Sequence, residues 1–333
     1  MSDEAPAPRR YVLRRAVARS YRVDYARELN EEQKTVVFAP DGPTVVVAGA
    51  GSGKTRTLVY RVSRLIEDGA DPASLLLLTF TNRAAREMKR RVETLIGADL
   101  NRATAGTFHS VAARLLRPHA ELLGYRQNFG ILDSEDSKDL LESATSDLGV
   151  PVTDRRFPKG DLLRAIVSLC VNTGRPLDDV ITAEHPHFLP QLEAIRAVVH
   201  RYLERKVLAN GMDYDDLLLN WKRLLTEHAA IRKSFGARFR HVLVDEYQDV
   251  NRLQADLVDL VVKDVETPNV MVVGDDAQSI YSFRGADFEA LLGFPDRHPG
   301  TRVFSLETNY RSTPEILRLA DASIVQNVRR FEK

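Results

Sequence analysis

The sequence predicts an α/β fold with a parallel sheet, interrupted by an inserted block of helices, and three observations carry that prediction. A β-branched run from Thr44 to Val47 passes into a glycine-rich loop and then into apolar residues at helical spacing. A second strand-then-helix pair, Leu75 to Thr79 followed by "NRAAREMKRRVETLI", repeats the arrangement. After the extended stretch "RATAGTFH" the pattern turns almost wholly helical, until strands return with "HVLVDEYQD" and "NVMVVGDDAQS".

The first element and its loop read "TVVVAGAGSGKTRTL" from Thr44 to Leu58. A short valine run bounded by turn residues suits a strand covered on both faces. Leu58, Val62, Leu65 and Ile66 then mark a helix that begins near Lys54. A glycine-rich loop between a strand and a helix N-terminus is a phosphate cradle: backbone N–H groups turn inward and the helix dipole favours negative charge. Gly49, Ala50, Gly51, Ser52, Gly53, Lys54 and Thr55, with Arg56 beyond them, are the expected nucleotide contacts. Lys54 supplies a cation to the phosphates, and Thr55 is a candidate ligand for Mg²⁺. Ala48 stands where the pattern G-x-x-x-x-G-K-[ST] asks for glycine, and alanine is small enough to keep the loop. This stretch predicts a bound nucleoside triphosphate.

Bulk composition decides less. Lysine plus arginine and aspartate plus glutamate both number 47 in 333 residues, so net charge neither supports nor excludes a nucleic-acid partner. The single Cys170 rules out an internal disulfide, and His185 and His187 in "EHPHF" lack further ligands nearby, which gives them a structural reading. No apolar run reaches the roughly 20 residues needed to span a bilayer, and a cytoplasmic location is expected. Arginines from Pro8 to Arg22 punctuate a weak amphipathic pattern; a solvated peripheral helix and phosphate contact both remain open for them.

The helical block holds "SVAARLLRPHAELL", "SEDSKDLLESATSDL", "GDLLRAIVSLCVN", "QLEAIRAVVHRYLERKVL" and "DYDDLLLNWKRLL". Far more chain separates Lys54 from Asp245 than one nucleotide site requires, so something sizeable is inserted. In "HVLVDEYQD" two carboxylates end the apolar strand Val242 to Val244, where ligands of parallel sheets sit. Asp245 is placed to hold Mg²⁺, and Glu246 to accept a proton from an attacking water. Gln33 in "LNEEQKTVV" has an amide that suits adenine, a weak signal by itself. In "VVGDDAQSIYSFRGAD", Gln278 suits a γ-phosphate sensor, and Tyr281 or Phe283 suits stacking on an unpaired base or packing in an interface. Arg311 in "LETNYRSTPEIL" suits either an arginine finger or a salt bridge.

Taken in order, "LNEEQ", "AGAGSGKT", "LTFTNRAAREM", "GTFHS", "LVDEYQD", "VGDDAQSIYSFRGAD" and "LETNYRST" resemble the UvrD/Rep family of superfamily 1 DNA helicases, from about Leu29 to the end of the chain. Ala48 is the form that family usually shows. The resemblance implies a RecA-like P-loop NTPase domain, ATP and Mg²⁺ as cofactors, and single-stranded DNA and duplex junctions as partners. It implies that Gln33 recognises adenine, that Tyr310 stacks on it, and that Gln278 and Arg311 contact the γ-phosphate. It implies DNA contacts from Phe80, Thr81, Asn82, His109, Tyr281, Phe283 and Arg284. Phe283 stands where many members have tryptophan, and Ala277 where an acidic residue is frequent.

The domain organisation expected from this is an Arg-rich extension over 1–28, a first RecA-like domain over 29–108 and 239–303, and an inserted helical subdomain over 109–238. The start of a second RecA-like domain is expected over 304–333. The resemblance further implies that later motifs, among them a second γ-phosphate arginine, lie outside these 333 residues. Arg311 would then stand on a piece of domain without the sheet to hold it. The implied activity is ATP-driven 3′ to 5′ movement on single-stranded DNA, with little unwinding by this chain alone. The helicase part of a helicase–nuclease and a non-translocating regulatory nucleotide-binding module are the two alternatives.

Overall fold

The computed structural model describes residues 21–149, 157–275, 278 and 289–324. Two short helices, α1 (Tyr25–Glu28) and α2 (Glu31–Val37), open the described chain. Asn30 caps α2, and its side chain and that of Gln33 satisfy each other's backbone N–H groups reciprocally. The chain then alternates strand and helix: β1 (Thr44–Ala48), α3 (Lys54–Glu67), β2 (Leu75–Leu78), α4 (Asn82–Ile96), β3 (Thr104–Gly106), α5 (Phe108–Leu116). A helical run follows, β4 (Gly130–Ile131), α6 (Ser134–Asp147), α7 (Gly160–Thr173), α8 (Leu177–Glu184), α9 (Leu192–Leu208), β5 (Gly211–Met212), α10 (Tyr214–Glu227) and α11 (Ala229–Arg238). Alternation resumes with β6 (His241–Val244), α12 (Arg252–Val262), β7 (Val270–Gly274), α13 (Glu289–Leu292), α14 (Phe294–Arg297), β8 (Arg302–Leu306) and α15 (Pro314–Ile324).

Six strands form one sheet in the order β3-β2-β6-β7-β1-β8, and each neighbouring pair is parallel. Its strands are apolar on both faces because helices cover both. Val45, Val47, Leu76, Leu78, Val242 and Val244 point into one core with α5, α10 and α12. Val46, Leu75, Leu77, Leu243, Met271 and Val273 point into the other, with α2, α3 and α4. Successive residues of a strand alternate between the two, as a period of two requires. This is a RecA-like α/β arrangement.

Helices α6 to α9 bury a third core of their own, with Leu141, Leu163, Ile166, Ile181, Ile195 and Tyr202 at its centre. Helices α5, α10 and α11 do not join it: Val111, Leu217, Trp221 and Phe235 pack on the sheet side instead. The stretch 109–238 thus divides between sheet cover and a separate helical cluster.

The expected boundary at residue 304 falls inside a strand of this sheet. The strand read as the opening of a second domain from residue 304 pairs along its whole length with β1, from Thr44 against Arg302 to Ala48 against Leu306. It is the edge strand of the first sheet, because Leu306 completes the core beside Val46 and Ala48. Residues 1–20 and 325–333, which carry most of the arginine-rich extension and the last of the expected second domain, lie outside the described residues.

Candidate functional site

The strand order brings the functional loops together. β6, β7 and β1 are neighbours, so the segments beyond their carboxyl ends lie side by side. Beyond β1 the chain turns through Gly51 (φ 81°) and Gly53 (φ 86°), left-handed conformations that glycine adopts without strain. Ser52 Oγ donates to Gly49 O at 2.8 Å and closes the loop on itself. Gly53 then precedes Lys54, the first residue of α3. Backbone N–H groups at that helix start have no intrahelical partner and face an anion site.

Lys54 is buried at 9% exposure, and its Nζ lies 3.4 Å from Glu246 Oε2. Thr55 Oγ1 donates to Asp245 Oδ2 at 3.4 Å. Asp245 follows β6, almost completely buried, and burial, reinforced by the Glu246 charge, pushes its carboxyl up to about 6. Glu246 sits in a left-handed conformation, φ 52°, uncommon for a residue with a side chain. Gln248 Nε2 donates to Glu246 Oε2 at 2.8 Å, and Gln248 Oε1 accepts from the Asp275 N–H at 2.9 Å. The Asp275 carboxylate in turn accepts from Gln278 Nε2. A continuous line of hydrogen bonds therefore runs from the β6 loop to the β7 loop.

A cavity of about 300 Å³ is lined by Gly49–Gly51 and Gly53–Arg56 of the phosphate loop and by Arg91, Glu246, Gln278 and Arg311. Arg311 is held there through its backbone. Tyr310 N donates to Gly51 O at 2.9 Å, and Asn309 Nδ2 donates to Ala50 O. Asn309 Oδ1 accepts from the N–H groups of Arg311 and Ser312, each at 2.8 Å. The backbone segment that carries Arg311 is thus tied to the phosphate loop. A second cavity, about 500 Å³, adjoins through Gly51, Gly53 and Arg56 and is lined by Gln33, Asn30 and Tyr310. Gln33 Nε2 donates to Ser52 O at 3.2 Å, which sets the amide at the loop's edge. Arg56 donates to both the backbone and carboxylate of Glu28 at 2.8 Å.

These residues fit a magnesium nucleotide. Among the described residues no group of three or more His, Cys, Asp or Glu side chains is arranged to hold a metal alone. Magnesium beside a nucleotide needs only one or two protein ligands, the rest being phosphates and water. The Thr55 hydroxyl and Asp245 carboxylate, already 3.4 Å apart, form that kind of donor pair.

The candidate DNA residues sit farther along the same edge of the sheet. Phe80 is about half exposed just beyond β2. Thr81 caps α4, and Asn82 Oδ1 accepts from the Thr107 N–H at 3.3 Å. His109 packs edge-on against Tyr214, ring centroids 5.7 Å apart, and burial lowers its basicity. Tyr281, Phe283 and Arg284 lie outside the described residues.

Comparison with known proteins bears on these features together. Residues 29–299 match the family model described as the UvrD/REP helicase N-terminal domain. The chain belongs to the UvrD/Rep helicase family. Relatives include proteins named ATP-dependent DNA helicase PcrA from Staphylococcus epidermidis, 35% identical over 309 residues, and from Staphylococcus aureus, 35% identical over 307 residues. In both cases 92% of this chain is covered but only 41% of the relative, so the chain spans less than half the length of these curated relatives.

Several residues of this family member escaped the sequence reading. Arg91 reaches the phosphate-loop cavity from α4 with its Nε 2.7 Å from Glu87 Oε1. Only the helical phase relative to buried Met88 and Val92 hinted at its direction. Asp249 shares a cavity of about 80 Å³ with Phe80, His109 and Glu246. Its Oδ1 is buried without a hydrogen-bond partner among the described residues, and burial together with the Glu246 charge raises its carboxyl to about 6. Gln248 and Asn309 act as joints, a role with no local sequence signal.

Proposed function

We propose that this chain binds ATP with Mg²⁺ and hydrolyses it, as part of a DNA-dependent motor of the helicase kind. The observation that carries the reading is the meeting of Lys54, Thr55, Asp245 and Glu246 at the carboxyl ends of β1 and β6. Lys54 and the N–H groups at the start of α3 hold the β- and γ-phosphates. Asp245 and Thr55 hold the magnesium, which when bound neutralises charge that develops on the phosphates. Glu246, left in a strained backbone conformation at the mouth of the cavity, takes the proton of the attacking water. Gln278 and Arg311, both lining that cavity, meet the γ-phosphate from the far side. Gln33 and Tyr310 take the base.

Single-stranded DNA, in this reading, crosses the carboxyl edge of the sheet over Phe80 and His109, with Tyr281, Phe283 and Arg284 completing the path. The 80 Å³ cavity that Phe80 and His109 line together with Glu246 supports it. Movement from 3′ to 5′, action at duplex junctions, a cytoplasmic location and the division into two RecA-like domains with a helical insert complete the proposal for the whole protein. No helix among the described residues is long and apolar enough to cross a membrane. The 333 residues alone are proposed to hydrolyse ATP slowly and to unwind nothing, because alternate gripping needs two domains that close on the nucleotide.

Equilibrium titration of the chain with Mg-ATP and with a fluorescent oligothymidylate tests the reading. Saturable ATP binding and salt-sensitive, sequence-tolerant oligonucleotide binding are expected. Absence of ATP binding contradicts it.

A further inference from the structure

Tyr310 is 62% exposed and yet fixed at both ends. Its backbone N–H donates to Gly51 O at 2.9 Å, and its hydroxyl accepts from Asn30 Nδ2 at 2.8 Å. The turn just before it is held by Glu32. Glu32 Oε2 accepts from the N–H groups of Glu307 at 2.9 Å and Thr308 at 3.3 Å, while Oε1 accepts from the Thr308 hydroxyl at 3.3 Å. Asn30 and Glu32 belong to the first turn of α2, and Asn30 Oδ1 at the same time caps that helix by accepting from Gln33 N at 2.7 Å. One helix end therefore grips Gln33, the Tyr310 hydroxyl and the backbone of residues 307–308.

Such a grip stabilises the fold little. The groups are exposed, and hydrogen bonds open to water contribute only modestly in net terms. Immobilising an aromatic side chain in advance of a ligand, by contrast, lowers the ordering cost that binding would otherwise carry. Tyr310 and Gln33 both line the 500 Å³ cavity that adjoins the phosphate cavity.

We propose that Asn30 and Glu32 are positioning residues for base recognition: they fix the Tyr310 ring as a platform before a nucleotide arrives. This rests on the nucleotide reading above and adds to it which residues set selectivity for the base. Asn30 acts on the ring through its Nδ2, while its Oδ1 caps Gln33 N. Glu32 acts on the turn, and so on Arg311 as well as on Tyr310.

The test compares Mg-ATP with inorganic tripolyphosphate, which has the phosphates but no base, by calorimetric titration of the whole chain. Asn30→Ser keeps a capping oxygen for α2 but is too short to reach Tyr310; Tyr310→Phe keeps the ring and removes the hydroxyl. Each is expected to weaken ATP binding about fivefold, the scale of one neutral hydrogen bond, with tripolyphosphate affinity unchanged. The double variant is expected to be no worse than either single one, because both remove the same bond. Glu32→Ala is expected to weaken both ligands, with Glu32→Gln recovering part of the loss. If wild type prefers ATP to tripolyphosphate and the Asn30 and Tyr310 variants retain that preference in full, or lose both ligands equally, the inference is overturned while the nucleotide reading stands. If wild type shows no preference for ATP, the nucleotide reading fails and the inference with it.

Discussion

Lys54 Nζ and Glu246 Oε2 face each other across 3.4 Å, a cation and a carboxylate at one cavity. Lys54 is buried, so the ion pair with Glu246 holds its side chain at the edge of the phosphate-loop cavity. Lys54→Ala is expected to lose most ATP affinity, at least tenfold, since charge-assisted hydrogen bonds of this kind contribute about 1.5–3 kcal/mol. Equilibrium titration checks it, and an unchanged affinity removes the lysine from the account.

Gly51 carries the second prediction. Its φ of 81° suits glycine, and a Cβ there would stand 2.6 Å from Arg311 Cβ. Gly51→Ala is expected to push the 309–311 loop away, costing about 1–2 kcal/mol of backbone strain besides the hydrogen bond from Tyr310. Protection of the Tyr310 amide from hydrogen exchange is expected to disappear; full protection in the variant would show that the loop is held elsewhere.

The pH dependence of stability has a sign that can be worked out. Asp245 has its carboxyl raised to about 6, with burial as the main cause. An ordinary aspartate titrates near 3.9, so the folded chain takes up a proton that the unfolded chain releases between those values. The Asp245 contribution to stability therefore falls as pH rises from about 4 to 6 and stays lower above that. Asp245→Asn is expected to raise stability at pH 7 by on the order of 1 kcal/mol or more. It also reduces the slope of stability against pH without abolishing it, because Asp249 and Asp216 are raised into the same window. Denaturant melts from pH 4 to 8 supply the comparison; a variant less stable than wild type at pH 7 contradicts it.

Lys206 provides a test far from the phosphate loop. Its Nζ lies 2.6 Å from carboxylate oxygens of both Asp213 and Asp216, and the side chain is 3% exposed. Lys206→Met leaves two buried carboxylates facing each other, at a cost of about 3–5 kcal/mol. Trp221, the single tryptophan and fully buried, reports the unfolding midpoint by fluorescence. A loss below about 1 kcal/mol would mean the carboxylates are already neutral at that pH.

What the sequence made legible was what local chemistry encodes. The valine run, the glycines and Lys54 sit within a dozen residues, and the structure forms the strand, loop and helix where they predict them. Asp245 and Glu246 follow β6 for the same reason: an apolar strand must finish where its polar residues begin. Helix α4 was legible to its ends because Thr81 caps it and Gly97 closes it in a left-handed conformation. The place of β8 was not. Parallel pairing joins residues far apart in sequence, Arg302 against Thr44, and no local pattern distinguishes an edge strand of one sheet from the first strand of another. The joints made by Gln248, Asn309 and Glu32 were illegible likewise, since each is an ordinary polar residue until the fold puts its partner in reach.

The central claim is that Glu246 activates water against a triphosphate held by Lys54. Single-turnover hydrolysis of ATP by Glu246→Gln, with protein in excess, tests it most directly. Binding is expected to be retained or tightened, because the variant frees Lys54 from its partner, while hydrolysis slows by about 10²–10⁴-fold. A variant that hydrolyses bound ATP as fast as wild type would contradict the account.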